Sequence, residues 1–425
     1  MVTTEETAKS ESKLRLMLEV NRKISASLNL DEVLNFIADS VREIIPYDAA
    51  GIYLFDSESQ TVTYFVGRGY SESEQIEVPL KSLGGIVGRV IATGESVLAS
   101  EVAENPYYLN CREKTRGQLT VPIISDGKII GAFNLESDQP GSFTEEDREW
   151  LTVLATQAAI SIDKAILHQE LLEKKRLQEQ LRIARDVQLS LLPKAAPKLD
   201  GLDIDGINIP SEDIGGDYFD FIPIVEGHLG IVVADVAGKG VPASLIMASF
   251  RAFLRAEIRN NYAIRTIFAK VNNLLYESLK EHKFVSAIYG VLDLGRWRFT
   301  YSNAGHHPPI LFRPDGRQRY LSSGGPVLGI LEGTTYNERI IDLVPGDILL
   351  LYTDGIVEAE NEAGEMFGRE RLEQFVRANA LLGARELCEA LYAELTRFTG
   401  DRHPEDDTTI VVAKVLSPTG GQSAD

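Results

Sequence analysis

Between Phe143 and Pro193 the sequence contains neither glycine nor proline, the two residues that most readily end a helix. The stretch reads as continuous helix, opened by the capping pattern Thr144-x-x-Asp147 and broken by "PKAAPKLDG". Within it Leu177, Leu181, Ala184, Gln188 and Leu191 step by four, three, four and three, the spacing of a coiled-coil seam. The seam falters at Lys174-Lys175-Arg176 and is short. Two readings stay open, a solvated connecting helix or a dimeric coiled coil. The second is the expectation, and with it a homodimer formed through this helix and the domain before it.

The flanking regions read differently. Residues 14–45 read as helix, with Leu34, Ile37, Val41 and Ile44 on one face, Asp31 as cap and Pro46 as stop. Short strands follow, "AGIYLF" and "TVTYFV", then "GGIVGRVIATGE" as a short helix entered and left through glycines. "LTVPII" and "KIIGAFNLES" form a hairpin across "SDGK". After the long helix come the strands "LDIDGINI", "YFDFIPI" and "HLGIVVADV", helices at 241–259 and 263–280, and the strands "FVSAIYGVLDL", "RFTYSNAG" and "DILLLYTDG". Helices near 369–398 and a last strand, "TTIVVAKV", complete the chain. Strands in runs with helices inserted as pairs point to a layered α+β sandwich rather than a doubly wound sheet. The expected organisation is α/β and multidomain: a disordered start at 1–13, an α/β domain at 14–168, a helical coiled-coil linker at 169–199, a sandwich domain at 200–416 and a disordered tail at 417–425.

Charge narrows the partners. The chain of 425 residues has a formal net charge of −20, and both large blocks are acidic, which disfavours nucleic acid. Two cysteines, Cys111 and Cys388, build no disulfide framework and fit a reducing compartment. The polar, acidic start "MVTTEETAKSESK" is unlike a signal peptide. No apolar run approaches the roughly 18 residues of a bilayer span, so the expectation is a cytoplasmic protein that does not enter a membrane.

Acidic residues gather where strands end. "GGDYFDF", "ADVAGKG", "YTDG" and "EDDTT" place Asp217, Asp235, Asp354 and Asp406 next to apolar, strand-like runs. Brought to one edge of a packed sheet pair, such carboxylates repel one another unless divalent cations lie among them. All-oxygen ligation suits Mg²⁺ or Mn²⁺, and the lack of Cys or His clusters argues against zinc and copper. Two metals sharing a carboxylate can promote in-line displacement on phosphorus. Each motif alone is weak, since Asp-Gly is first a turn signal; their order is what carries weight.

In order, "IGGDYFDFI", "VADVAGKGVPASLIMA", "SNAGHHPPIL", "GGPVLGI", "PGDILLLYTDGIVEA" and "EDDTTIVVAKV" resemble the SpoIIE/RsbU branch of the type 2C metal-dependent protein serine/threonine phosphatases. The resemblance runs from about Arg182 to Val415 and implies an α-β-β-α sandwich. It implies two Mn²⁺ or Mg²⁺ ions, with room for an additional one. Asp235 would bridge both, the Val236 carbonyl would bind the second, and Asp354 and Asp406 would complete the first. Asp217 would hold metal-bound water or the additional cation, with Asp407 in a supporting position. The implied substrate is a phosphoserine or phosphothreonine protein, a small anti-sigma-factor antagonist in a partner-switching pathway. His306 and His307 are expected to structure a loop rather than act as acids. No phosphate-binding arginine of the eukaryotic relatives is evident.

Residues 14–168 resemble a GAF sensor domain, carried by "GIVGRVIATGESVLASEV" and "VPIISDGKIIGAFNLES". The ligand is left open; no cyclic-nucleotide motif is visible, and the surroundings of Cys111 do not look like a chromophore site. Two rivals remain: a non-catalytic sensor and adaptor, disfavoured by the intact aspartates, and a histidine kinase using His168, disfavoured because no Gly-rich nucleotide region of that type follows.

Overall fold

The computed structural model describes residues 18–416 apart from 20, 21, 25, 57, 58, 76–82, 280–282 and 403. The expected disordered ends, 1–13 and 417–425, lie outside the described residues. Contacts divide the chain into two compact units that meet at Leu177 and Gln178. That boundary falls inside the long helix, where the sequence reading set apart a linker at 169–199.

The first unit is built on a five-stranded antiparallel sheet, formed by β1 (Ala49–Asp56), β2 (Thr61–Arg68), β3 (Val97–Ala99), β4 (Gly117–Ser125) and β5 (Lys128–Ser137) in the order β2-β1-β5-β4-β3. Side chains alternate along β1, so Ala50, Ile52 and Leu54 enter one core while Ala49 and Tyr53 enter the other. The helices α1 (Leu30–Ile44) and α3 (Glu145–Leu191) close the first core, with Leu34 and Ile37 beside Leu151 and Ala158. The other face carries α2 (Ile86–Thr93), which begins after Gly85 and ends on Gly94 at φ 70°. The β4–β5 hairpin turns on Asp126 and Gly127, both at positive φ (46° and 76°) as its two-residue turn demands.

The helix expected at 14–45 is interrupted, and its cap differs: 14–17 lie outside the described residues, 18, 19 and 22–24 are helical, and α1 begins only at Leu30. Asn29, not Asp31, caps α1, its side chain accepting the Glu32 N–H at 3.1 Å while Ser27 Oγ accepts the Asn29 N–H at 3.1 Å. These local side-chain bonds offer the backbone an alternative to helix and interrupt the run. Asp31 instead accepts the Tyr64 hydroxyl.

Helix α3 opens as expected, with reciprocal Thr144 and Asp147 bonds at 3.2 and 2.9 Å. Its fully buried residues end at Ala165. Among the described residues it is the one helix long and apolar enough to cross a membrane, but its buried stretch packs into the core of the first unit.

The second unit is four layers deep. One sheet joins β7 (Tyr218–Val225), β8 (His228–Val236), β9 (Val285–Asp293), β10 (Arg298–Ala304) and the short β13 (Gly324–Gly325), with β14 (Arg339–Asp342) also on β10. The other runs β12-β11-β15-β16-β6, from β6 (Leu202–Ile209), β11 (Ile310–Phe312), β12 (Gln318–Tyr320), β15 (Ile348–Tyr352) and β16 (Thr408–Val415). Ile231 and Val233 of β8 face Leu349, Leu351 and Val411 between the sheets. Val232 and Ala234 point the other way, against Met247, Phe250 and Phe268 of α4 (Gly240–Asn260) and α5 (Ile264–Ser278). On the far side Leu350 and Val412 meet Leu372, Leu387 and Leu391 of α7 (Gly368–Ala378) and α8 (Ala384–Thr399). The result is an α-β-β-α sandwich. A four-residue helix, α6 (Asp354–Val357), starts at the aspartate that the sequence reading left in a turn.

Candidate active site

The ends of buried strands deliver the aspartates to one edge of the sandwich. Asp235 is the penultimate residue of β8 and pairs with Ser286 of β9. Asp217 immediately precedes β7, Asp354 follows β15 by one residue, and Asp406 and Asp407 lead into β16. Burial, then the charges of Asp354, Asp406 and Asp407, push Asp235 up to about 7. Asp217 is raised too, by its burial and by Asp235. Asp406 is raised chiefly by desolvation and is restrained in part by Lys239, whose ammonium lies 3.6 Å from Oδ2.

Asp217 and Lys239 are held by hydrogen bonds. Asp217 Oδ2 accepts the hydroxyls of Thr353 and Thr409 at 2.7 and 2.6 Å. Thr353 Oγ1 also accepts the Thr409 N–H at 2.9 Å, tying β15 to β16 beneath the carboxylate. Lys239 Nζ donates to the Glu405 carbonyl. Thr353, Thr409 and Lys239 sit inside the acidic motifs, and adjacency to Asp354, Asp407 and Gly238 was the only signal that could have found them. Val236 is buried, and its carbonyl faces Gly216, where an added Cβ would come within 3.1 Å of it.

Asp407, for which the resemblance implies a supporting position beside the metal ligands, is engaged in four hydrogen bonds. Its Oδ1 accepts the Ser211 N–H and hydroxyl at 2.8 and 3.1 Å. Its Oδ2 accepts the Gly216 and Asp217 N–H groups at 2.6 and 3.3 Å. Through three backbone N–H groups and the Ser211 hydroxyl, Asp407 clamps the loop that presents Asp217. A side chain at Gly215 would put its Cβ 2.2 Å from this carboxylate. Gly355 is needed for a related reason: a Cβ there would lie 2.1 Å from the Asp407 carbonyl.

His306 is buried, with Nδ1 2.8 Å from Ser286 Oγ, and burial drives its pKa down to about 3. Its backbone N–H and carbonyl both bond Asn303. A neutral ring locked this way structures the loop, as expected of it.

The donor set is all oxygen and strongly self-repelling, which is the chemistry that hard divalent cations relieve. Among the described residues no three Asp, Glu, His or Cys side chains already form a closed ligand group. The aspartates are close enough to raise one another's pKa. The residues present fit Mn²⁺ or Mg²⁺.

The linker end contributes to the same edge. Gln188 Nε2 donates to the Gly215 carbonyl at 2.6 Å, and its Oε1 accepts the Gly215 N–H at 3.2 Å. Leu191 packs on the α4–α5 core, and its carbonyl accepts Arg251 Nε at 2.9 Å. Two of the five seam positions are therefore engaged within the chain.

The sensor unit holds a buried polar network that sequence reading missed. Glu136 accepts from Tyr70, Thr115 and Asn134 at 2.8, 2.5 and 2.9 Å. Asn134 Oδ1 in turn accepts from Gln118 and Thr120, each at 2.7 Å. These residues occupy the α2-facing side of β4 and β5, hidden in otherwise apolar runs. Cys111 lines a small pocket beside them with Tyr108 and Arg112.

A two-sheet sandwich with aspartates converging from several strand ends defines a type 2C phosphatase domain, here preceded by a GAF domain. The second unit matches the SpoIIE model of such domains, and the first matches a GAF model. The family profile for Stage II sporulation protein E (SpoIIE) matches residues 225–416, and that for the GAF domain matches 27–163. Asp235, Asp354, Asp406 and Asp407 fall inside the first match, and Asp217 just outside it. The chain is 27% identical over 242 residues to phosphoserine phosphatase RsbU of Bacillus subtilis (strain 168), covering 57% of this chain and 71% of that one. It is 28% identical over 190 residues to phosphoserine phosphatase RsbP of the same organism, covering 44% and 47%. Protein IcfG of Synechocystis sp. is 27% identical over 259 residues, covering 55% and 41%. The chain thus spans less than half the length of two of these three relatives. The SiaA-PP2C domain of Pseudomonas aeruginosa shares the fold, with a TM-score of 0.51 at 22% identity over 58% of this chain and 99% of that one.

Proposed function

We propose that the protein removes phosphate from phosphoserine or phosphothreonine on a small anti-sigma-factor antagonist, as a step in partner switching, with the GAF unit controlling the rate. The observation that carries this reading is the convergence of Asp217, Asp235, Asp354 and Asp406 from separate strand ends on one edge of the sandwich. The names of RsbU and RsbP support the substrate class. The acidic surface argues against nucleic acid. The same reading places the protein in the cytoplasm, as a homodimer through α3 and the GAF unit.

When bound, Mn²⁺ or Mg²⁺ supplies Lewis acidity toward water and phosphate at this edge. Asp235 would hold both ions, Asp354 and Asp406 the first and the Val236 carbonyl the second. The protein's own share is orientation. Thr353 and Thr409 aim Asp217, leaving its Oδ1 to accept a hydrogen bond from water or to meet an additional cation. Asp407 fixes the backbone on which Asp217 rides, and Lys239 steadies Asp406 without neutralising it fully. The neutral His306 keeps a second charge away from Ser286 and hence from the end of β8.

The test is turnover of p-nitrophenyl phosphate and of a phosphorylated antagonist protein with Mn²⁺, with Mg²⁺ and with EDTA. Both substrates should be hydrolysed with either cation and neither in EDTA. Full turnover in EDTA would end the reading.

A further inference from the structure

A cavity of about 320 Å³ opens directly beside the acidic edge. Asp406 and Gly355 belong to its wall as well as to the active site. Its lining is mixed, with an apolar cluster of Ile209, Ala359, Met366, Tyr392 and Leu395 set among polar and charged groups. Its volume is at the low end of the range for ligand sites, about 300–1,000 Å³, and suits one or two side chains better than a cofactor.

The roof is held in place rather than draped. The segment from Glu358 to Met366 returns on itself through a bridge between Glu360 and Met366, and the Ala359 carbonyl accepts the Phe367 N–H at 2.7 Å. Arg402 pins it across the cavity, donating to Glu360 at 2.7 Å and to the Asn361 carbonyl at 3.0 Å. The floor is α8, where Leu395 is buried and Thr396 exposed. Lys239 and Arg402 stand in the wall among Glu358, Glu360 and Glu405. An apolar cluster within a rim that carries more carboxylates (Glu358, Glu360, Glu405, Asp406) than cations (Lys239, Arg402), continuous with a phosphate-processing site, disfavours a second anion and suits a polypeptide side chain.

We propose that this cavity is the specificity pocket of the phosphatase. It takes a bulky aliphatic side chain, such as leucine, lying within three residues of the phosphoserine of the substrate protein. The inference rests on the phosphatase reading above. Continuity sets the occupant: consecutive Cα atoms are about 3.8 Å apart, so a chain whose phosphate lies at Asp235 and Asp406 brings its neighbouring side chains to the mouth. Burying one aliphatic side chain there contributes selectivity that a small aryl phosphate cannot share.

The experiment compares kcat/KM for phosphoserine peptides carrying leucine at each position from three before to three after the phosphoserine, against an all-alanine parent peptide, with Mn²⁺. p-Nitrophenyl phosphate is assayed in parallel. Leucine at one position should raise kcat/KM at least tenfold. The pocket-filling variants Thr396→Phe and Ala359→Phe should abolish that gain, seen as a fall in the ratio of leucine-peptide to alanine-peptide turnover. Thr396 is exposed, so its variant keeps the test alive if Ala359→Phe fails to fold. If the enzyme hydrolyses the aryl phosphate and no position shows a gain, or the gain survives in folded Thr396→Phe, the pocket is refuted while the phosphatase reading stands. Absence of aryl phosphate hydrolysis with Mn²⁺ and Mg²⁺ would overturn both.

Discussion

Asp407→Ala separates a structural clamp from a metal ligand. The substitution strips acceptors from the N–H groups of Ser211, Gly216 and Asp217 and from the Ser211 hydroxyl. A buried donor left unpaired costs about 1–3 kcal/mol. Three backbone donors at the low end set a loss of about 3 kcal/mol. For a domain of this size, each kcal/mol lowers the midpoint by about 2–4 °C, so the phosphatase unit should melt about 6–12 °C earlier. The cation site itself would lose one negative neighbour, and Mn²⁺ affinity should weaken only a few-fold. Thermal unfolding and calorimetric Mn²⁺ titration at a temperature where the variant is folded read the two effects separately. A variant with an unchanged melting midpoint that no longer binds Mn²⁺ would refute the clamp and return Asp407 to the ligands.

Three further outcomes follow from the same geometry. Asp235 is held above the usual carboxylate range, up to about 7, so the metal-free native state binds more protons than the unfolded chain between pH 4 and 7. Metal-free stability should therefore fall as pH rises through that window, while Mn²⁺ affinity climbs and levels off near pH 7; Asp235→Asn should flatten the stability slope and cut turnover by several orders of magnitude, and an unchanged slope counts against the assignment. Burial raises the Cys388 thiol to about 12, so the double variant Cys111→Ser, Cys388→Ser should keep turnover within a few-fold of the parent, and inactivity in a folded double variant would bring back a thiol mechanism. Inserting four residues between Gln178 and Leu181 turns one end of α3 by about 40° against the other, whereas seven nearly restore the phase; basal activity or sensor control should change with four and much less with seven, and equal behaviour would make the helix a tether.

What could be read from the chain alone depended on whether a residue's partners lay within its own motif. The strands "HLGIVVADV" and "TTIVVAKV" coincide with β8 and β16, because a run of β-branched residues bounded by turns has few alternatives. The aspartates at their ends were legible for the same reason. The partners of Asp407 were not, since Ser211 and Gly216 lie almost 200 residues earlier. Glu136, Asn134 and Thr120 were hidden in strands whose other face is apolar, and only the sheet shows that they share one side. At α1 a Ser27–Asn29 turn overrode a helical pattern that periodicity alone would have extended.

Gln188 grips both backbone polar atoms of Gly215, two residues before Asp217, from a helix that has already left the sensor core. A side-chain amide about 6–7 Å from the helix axis moves by about 2 Å when the helix turns through about 20°, more than a hydrogen bond of this length tolerates. Sliding α3 along its axis by a fraction of a residue would strain the grip far less than winding it. If the GAF unit controls the rate as proposed, the phosphatase loop would be coupled to a torsion gauge: it would register angle, and a signal that only lengthened or bent the exposed middle of the helix would arrive as silence.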